Sequence, residues 1–215
     1  MMRFYAILFM LFLAGCGSST PPNQWQFDSS SNFEEYKNSY LKGEEDLAKD
    51  FLEKAIKSAK SSSNLETLAS IELGRVALRI ALFKPPKFEE YKKLEPLIES
   101  KELKSYAKLL AKKLSPGEVK YLPKKYKRFA LAYLRSDFIS AKKRIKEIKS
   151  PISKMVVGAL IKEHLDDKTI AHIVDSISFY GYRVAVLEWM KFWVNHTKNE
   201  RLKKILKKKL AILNG

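Results

Sequence analysis

Three histidines, two adjacent aspartates and one cysteine are the residues of this chain whose types could do chemistry. His164, Asp166, Asp167 and His172 together have the composition of a metal-binding set. Their spacing matches no zinc pattern, in which ligands come as closely spaced pairs. It also straddles an expected turn between two helices, where Asp166 or Asp167 can act as an N-cap for the free amides of the next helix. Capping accounts for these residues, so no metal is expected. The chain has no Gly-rich phosphate loop, no Gly-x-Ser-x-Gly elbow and no His-Glu-x-x-His segment. Neither a catalytic constellation nor a cofactor is expected, and the reading is of a protein that is not an enzyme.

The lone thiol has a clearer setting. Cys16 has no partner for an intramolecular disulfide. It closes the stretch Leu13-Ala14-Gly15-Cys16, which follows an unbroken apolar run over residues 6–13 with Arg3 just upstream. A helix that crosses a membrane needs about 20 such residues. A signal-peptide core needs only about 7–15. The segment resembles the lipobox of bacterial lipoproteins, in which Leu and two small residues precede the Cys. The resemblance implies that residues 1–15 are a signal peptide that is removed. It also implies that Cys16 becomes a lipidated N-terminus carrying a diacylglycerol and a further acyl chain of the palmitate kind. Several chains on one residue anchor stably, because each buried CH₂ contributes about 0.8 kcal/mol. Gly17 stands where lipoproteins retained in the inner membrane commonly carry Asp. That resembles sorting to the periplasmic face of the outer membrane, if the cell has two membranes. Glu99-Ser100 is similar to the pair around the catalytic acid of lytic transglycosylases, but the Gly-Leu-Met-Gln type segment expected downstream is absent.

The elements that would follow the anchor are a tether and one helical body. Residues 16–31 are polar, beginning Gly-Ser-Ser-Thr-Pro-Pro after the cysteine, and read as a flexible tether. Trp25 and Phe27 stand out in it, either docked on the first helices or resting in the membrane interface. Residues 32–215 are long enough for one substantial core. Apolar residues recur there at spacings of three and four: Leu47, Ala48, Phe51, Leu52, Ala55, Ile56 and Ala59; Leu65, Leu68, Ala69, Leu73, Val76, Ala77 and Ile80; Phe138, Ala141, Ile145 and Ile148; Leu202, Ile205, Leu206, Leu210 and Leu213. This is the mark of helices with one buried face. Ser31-x-x-Glu34, Ser63-x-x-Glu66, Ser115-x-x-Glu118 and Thr197-x-x-Glu200 fit the capping box, and Ser150-Pro151 places Pro at a first helical position. The expectation is an all-α fold of about eleven helices, stacked as antiparallel hairpins joined by short connections.

Several of these hairpins resemble tetratricopeptide repeats. Tyr36, Tyr40, Gly43, Ala48, Leu52 and Ala55 fall at the offsets of that repeat, and Leu73, Gly74 and Ala77 echo it, as do Phe129 to Tyr133 with Ala141. Small residues let paired helices approach closely while large ones fill the gaps between hairpins. The repeat length is about 34 residues, whereas Ala48 and Ala141 lie 93 residues apart. The resemblance is therefore to a degenerate, TPR-like α-solenoid.

The charge is strongly positive, with 41 Lys and Arg against 24 Asp and Glu, a net +17. Removing the signal segment takes away only Arg3. The charge clusters at Lys124, Lys125, Lys127 and Arg128, and again at Lys203, Lys204, Lys207 and Lys208. Such patches bind nucleic acid, anionic membrane or acidic partners, and export leaves the last two. The final helix reads either as a basic amphipathic helix on a bilayer or as the polar cap of the stack. Tyr180, Tyr182, Trp189 and Trp193 concentrate aromatic surface near the C-terminus, as a partner groove or as core. The expected function is a membrane-anchored envelope lipoprotein that binds another envelope protein as a scaffold or assembly factor. The alternative is a basic module for anionic lipid, lipopolysaccharide or cell-wall glycan.

Overall fold

The caps mark most helix starts in the computed structural model, which describes residues 23–214. The signal segment and Cys16 lie outside the described residues. Eleven α-helices are present: α1 Gln24–Lys42, α2 Glu45–Lys60, α3 Leu65–Ala81, α4 Glu89–Leu94, α5 Lys101–Leu110, α6 Lys124–Leu134, α7 Phe138–Glu147, α8 Pro151–Leu160, α9 Asp167–Ser178, α10 Arg183–His196 and α11 Glu200–Asn214. Three short 3₁₀ turns join them, and there is no strand among the described residues. The all-α class is the one the periodicity requires.

Ser150 accepts the Ser153 amide at 3.2 Å with Pro151 in the first position of α8, and Asp166 accepts the Thr169 amide at 2.8 Å to start α9. The Ser115–Glu118 box forms, but it opens the 3₁₀ turn Pro116–Tyr121 and not an α-helix. At α3 the cap is Asn64, one residue after the expected Ser63; it accepts the Glu66 amide at 2.9 Å. At α11, Asn199 takes the Leu202 amide at 3.0 Å, and Thr197 instead donates to Asp167.

The largest departure is at the start. Residues 24–31, expected as tether, are the first turns of α1, and Ser31 sits inside the helix. The cause is a tertiary contact: Ser29 is fully buried and its hydroxyl donates to the Ala55 carbonyl of α2 at 3.0 Å. Trp25 is half-buried on this helix, while Phe27 remains 67% exposed.

Helix pairs joined by short connections pack together: α1 with α2, α6 with α7, α8 with α9 and α10 with α11. The centre is α3, which contacts α1, α2, α5 and α8. Its Ala69, Leu73, Val76, Ala77 and Ile80 are all buried. A neighbour-only stack would keep the two ends apart, yet α1 packs on α10. The turn after α1 makes room for this. Gly43 has φ +94, and a Cβ there would lie 3.0 Å from Val184 Cγ2 of α10. Three other helices end on non-glycine residues in the left-handed region, Phe83 (φ +57), Lys112 (φ +58) and Ser136 (φ +56). Each lets the next amide reach back into the last turn, as Lys84 N does to Arg79 O at 2.8 Å.

Candidate functional site

A groove of about 970 Å³ opens between α1, α3, α5, α6 and α8 and is bordered by the turn before α10. That is within the size range of ligand sites. Helical periodicity puts one face of each helix along it. α1 contributes Phe33, Glu34, Lys37 and Asn38, and α3 contributes Glu66, Thr67 and Ser70. Tyr106 comes from α5, Lys125 and Tyr126 from α6, Ser153 from α8, and Tyr180 and Tyr182 from the turn.

The aromatic rings of the groove are fixed by one another. Tyr106 stacks on Tyr126 at 5.2 Å, and the buried Tyr126 hydroxyl donates to Ser153 at 3.0 Å. Tyr180 stacks on Tyr182 at 5.6 Å, and Tyr182 donates to Asn38 Oδ1 at 2.8 Å. Burial, with the neighbouring Tyr126, holds the Tyr106 phenol well above its ordinary range. Burial, then Tyr180 and Glu34, pushes Tyr182 up as well. Both rings therefore stay neutral hydrogen-bonding groups. Two cations flank them: Lys37 lies over the Phe33 ring and pairs with Glu34, and Lys125 lies 5.2 Å over Tyr126. The arrangement can stack on flat groups and exchange hydrogen bonds.

The predicted aromatic cluster divides. Trp189 is fully buried, its indole donating to the Ala81 carbonyl at 2.9 Å, so it is core and not groove. Tyr182 is also buried, reaching the groove with one edge only. Trp193 is half-buried and donates to Asp167 Oδ1 at 2.7 Å, which ties α10 to the start of α9. Tyr180 alone of the four is exposed. Its ring, and those of Phe33 and Tyr106, form the accessible aromatic surface. Phe33 and Tyr106 belong to separate helices far apart in the chain, and nothing in their local spacing marks them.

The basic clusters lie on separate elements. Lys124, Lys125, Lys127 and Arg128 are on α6, where Lys125 faces the groove and Arg128 approaches Glu147 of α7 at 3.7 Å. Lys203, Lys204, Lys207 and Lys208 are on α11, where Lys203 pairs with Glu200 at 3.8 Å. On α11 only Leu206 is buried, with Leu202 and Leu210 packed beside it. Ile205 and Leu213, expected in the buried stripe, are 44% exposed, and Ile212 is 80% exposed. Among the described residues α11 packs chiefly on α10, so only one line of its apolar residues is covered.

The histidine–aspartate set is dispersed into structural roles. His164 stacks on Phe138, Asp166 caps α9, Asp167 holds Trp193 and Thr197, and His172 lies on α9. Glu99 lies before α5, whose cap is Ser100. No helix among the described residues is long and apolar enough to cross a membrane. No protein-family model, curated protein or solved structure matches the chain.

Proposed function

We propose that this protein is a lipid-anchored, non-enzymatic envelope scaffold that receives a segment of a partner protein in the groove between α1, α3, α6 and α8. The observation that carries the reading is the groove itself, lined by Phe33, Tyr106 and Tyr180 with Lys37 and Lys125 at hand. Its mix of aromatic faces, hydroxyls and cations suits an extended polar segment with acidic side chains. The lipobox supports the anchor. Cys16, as the lipidated N-terminus at the outer membrane or another envelope membrane, would hold the body near the bilayer.

A photo-crosslinking side chain at Tyr180 or Lys125 of the full chain, expressed in its own cells, tests this. Adducts of one defined protein at both groove positions, and none at the exposed Ile139 of α7, are expected. Equal adducts at all three positions, or none in the groove, would refute it.

A second reading has its own observation. On α11, Ile205 and Ile212 project outward among Lys204, Lys208 and Lys209, the pattern of a helix that rests on an anionic surface. Anionic lipid or lipopolysaccharide would then be met by α11 while the groove serves a protein.

A further inference from the structure

A second cavity, of about 740 Å³, sits where α3 and α5 end, with α4 and the end of α8 completing its wall. Its lining is apolar, including Ile80, Phe83, Phe88, Leu110, Ala111 and Leu160. Two of the left-handed helix ends lie on it, at Phe83 and Lys112. The Pro85-Pro86 segment beside it is held by Arg79, whose Nε donates to the Pro85 carbonyl at 2.7 Å.

The border of this apolar cavity is almost entirely cationic. Lys84, Lys92, Lys108, Lys112, Lys113 and Lys162 line it, with Glu95 as the one acid. Three are engaged: Lys108 with Glu118, Lys162 with Glu163 at 3.8 Å, and Lys84 with the Tyr40 hydroxyl at 3.3 Å. Lys92, Lys112 and Lys113 are exposed and pair with no carboxylate among the described residues. In the wall, Tyr91 is 2% exposed and its hydroxyl makes no hydrogen bond. Buried hydroxyls nearly always have a partner, so one without asks for an explanation.

We infer that this cavity binds a single-chain amphiphile: an acyl chain carrying an anionic headgroup, carboxylate or phosphate. The chain fills the apolar interior. The headgroup sits at the border, near Lys92, Lys112 and Lys113. Apolar lining selects for the chain, and the unpaired lysines favour an anionic headgroup over a neutral one, because only a charged head gains their attraction. The inference is independent of the groove and of what occupies it.

The test uses the full chain in nanodiscs of phosphatidylcholine and a fatty acid with a diazirine in its chain. Adducts are expected on residues 80–92, 107–113 and 159–162, mapped by peptide mass spectrometry. Unlabelled oleate and lysophosphatidate should each suppress them about tenfold more than monoolein does, the discrimination a lost charge contact supports. The ratio of the two distinguishes a carboxylate from a phosphate source. Ala111→Trp, which fills the cavity, should abolish labelling there. Lys92→Glu with Lys113→Glu should reduce it about tenfold. Adducts confined to other segments, equal competition by monoolein, or labelling untouched by Ala111→Trp would overturn the inference. If circular dichroism shows Ala111→Trp misfolded, the exposed lysine pair decides the matter, and unchanged labelling in that variant counts against it.

Discussion

The indole of Trp189 donates a 2.9 Å hydrogen bond to the main-chain carbonyl of Ala81, joining the middle of α10 to the last turn of α3 across 108 residues. The same ring packs against Phe83 at 4.7 Å between centroids. Trp189→Ala removes a fully buried ring and its hydrogen bond together. We expect a loss of about 3–5 kcal/mol in urea denaturation, the range for aromatic truncation in a core. A loss below about 1 kcal/mol would show that the ring is not the keystone of this contact.

Gly158 is the companion of Trp189. A Cβ there would fall 2.9 Å from the Trp189 ring and 2.8 Å from Ile173 Cδ1. Alanine is the better helix former by about 1 kcal/mol, but overpacking costs about 1–3 kcal/mol. Gly158→Ala is therefore expected to lower the melting temperature. Gly117 has nothing within 4 Å of its would-be Cβ. Gly117→Ala is expected to leave the melting temperature unchanged or raise it slightly, through the unfolded state. The opposite order would show that the close packing of α8 on α9 and α10 yields freely.

Acid should weaken the junction of α7 and α9. Burial alone would raise the Asp166 carboxyl, but hydrogen bonds from Lys142 and from the Thr169 side chain and amide outweigh it and hold it at about 2, against an ordinary 3.8. A depressed carboxyl contributes stability above the unfolded value. That contribution is lost as pH falls from about 4 through about 2. Stability measured in urea should drop across this window, and Lys142→Met should flatten the drop by letting Asp166 titrate closer to its ordinary value. Identical pH profiles for the two proteins would remove Lys142 from the account.

The outward residues of α11 make a separate prediction. With the full chain anchored in vesicles, an environment-sensitive dye at position 212 (Ile212→Cys) should shift to the blue in anionic vesicles and not in phosphatidylcholine vesicles. The shift should vanish at about 1 M salt, where the screening length is about 3 Å, and in Lys204→Glu with Lys208→Glu. The same emission in both vesicle types would leave α11 as a polar cap.

The helices were legible because burial on one face imposes a 3.6-residue period, as in the stripe from Ala69 to Ile80. The start of α1 was not. Asp28-Ser-Ser-Ser has the composition of a linker, and only the Ala55 carbonyl, on another helix, turns Ser29 into a core residue. The aromatic cluster shows the same limit at closer range. Tyr180 and Tyr182 are two residues apart, yet one is exposed and the other buried, because Asn38 of α1 comes to meet the second. Lysine clusters could be counted in the sequence, but not the apolar cavity that Lys92, Lys112 and Lys113 border. That cavity is made by three helix ends, and Tyr91 in its wall sits in a six-residue helix with no distinguishing pattern.

The hydrogen bond from Tyr182 to Asn38 closes a loop of 144 residues. Long loops are entropically costly to close, and contacts of such separation slow folding. The α1–α2 pair can form early from its own local contacts, but its α10 side stays open until nearly all of the chain has emerged and collapsed. The seam between α1 and α10 is thus expected to set later than the local α1–α2 pair. Until then the α10 side of α1, with Asn38 on it, stays uncovered, and Tyr182 is the residue whose arrival covers it.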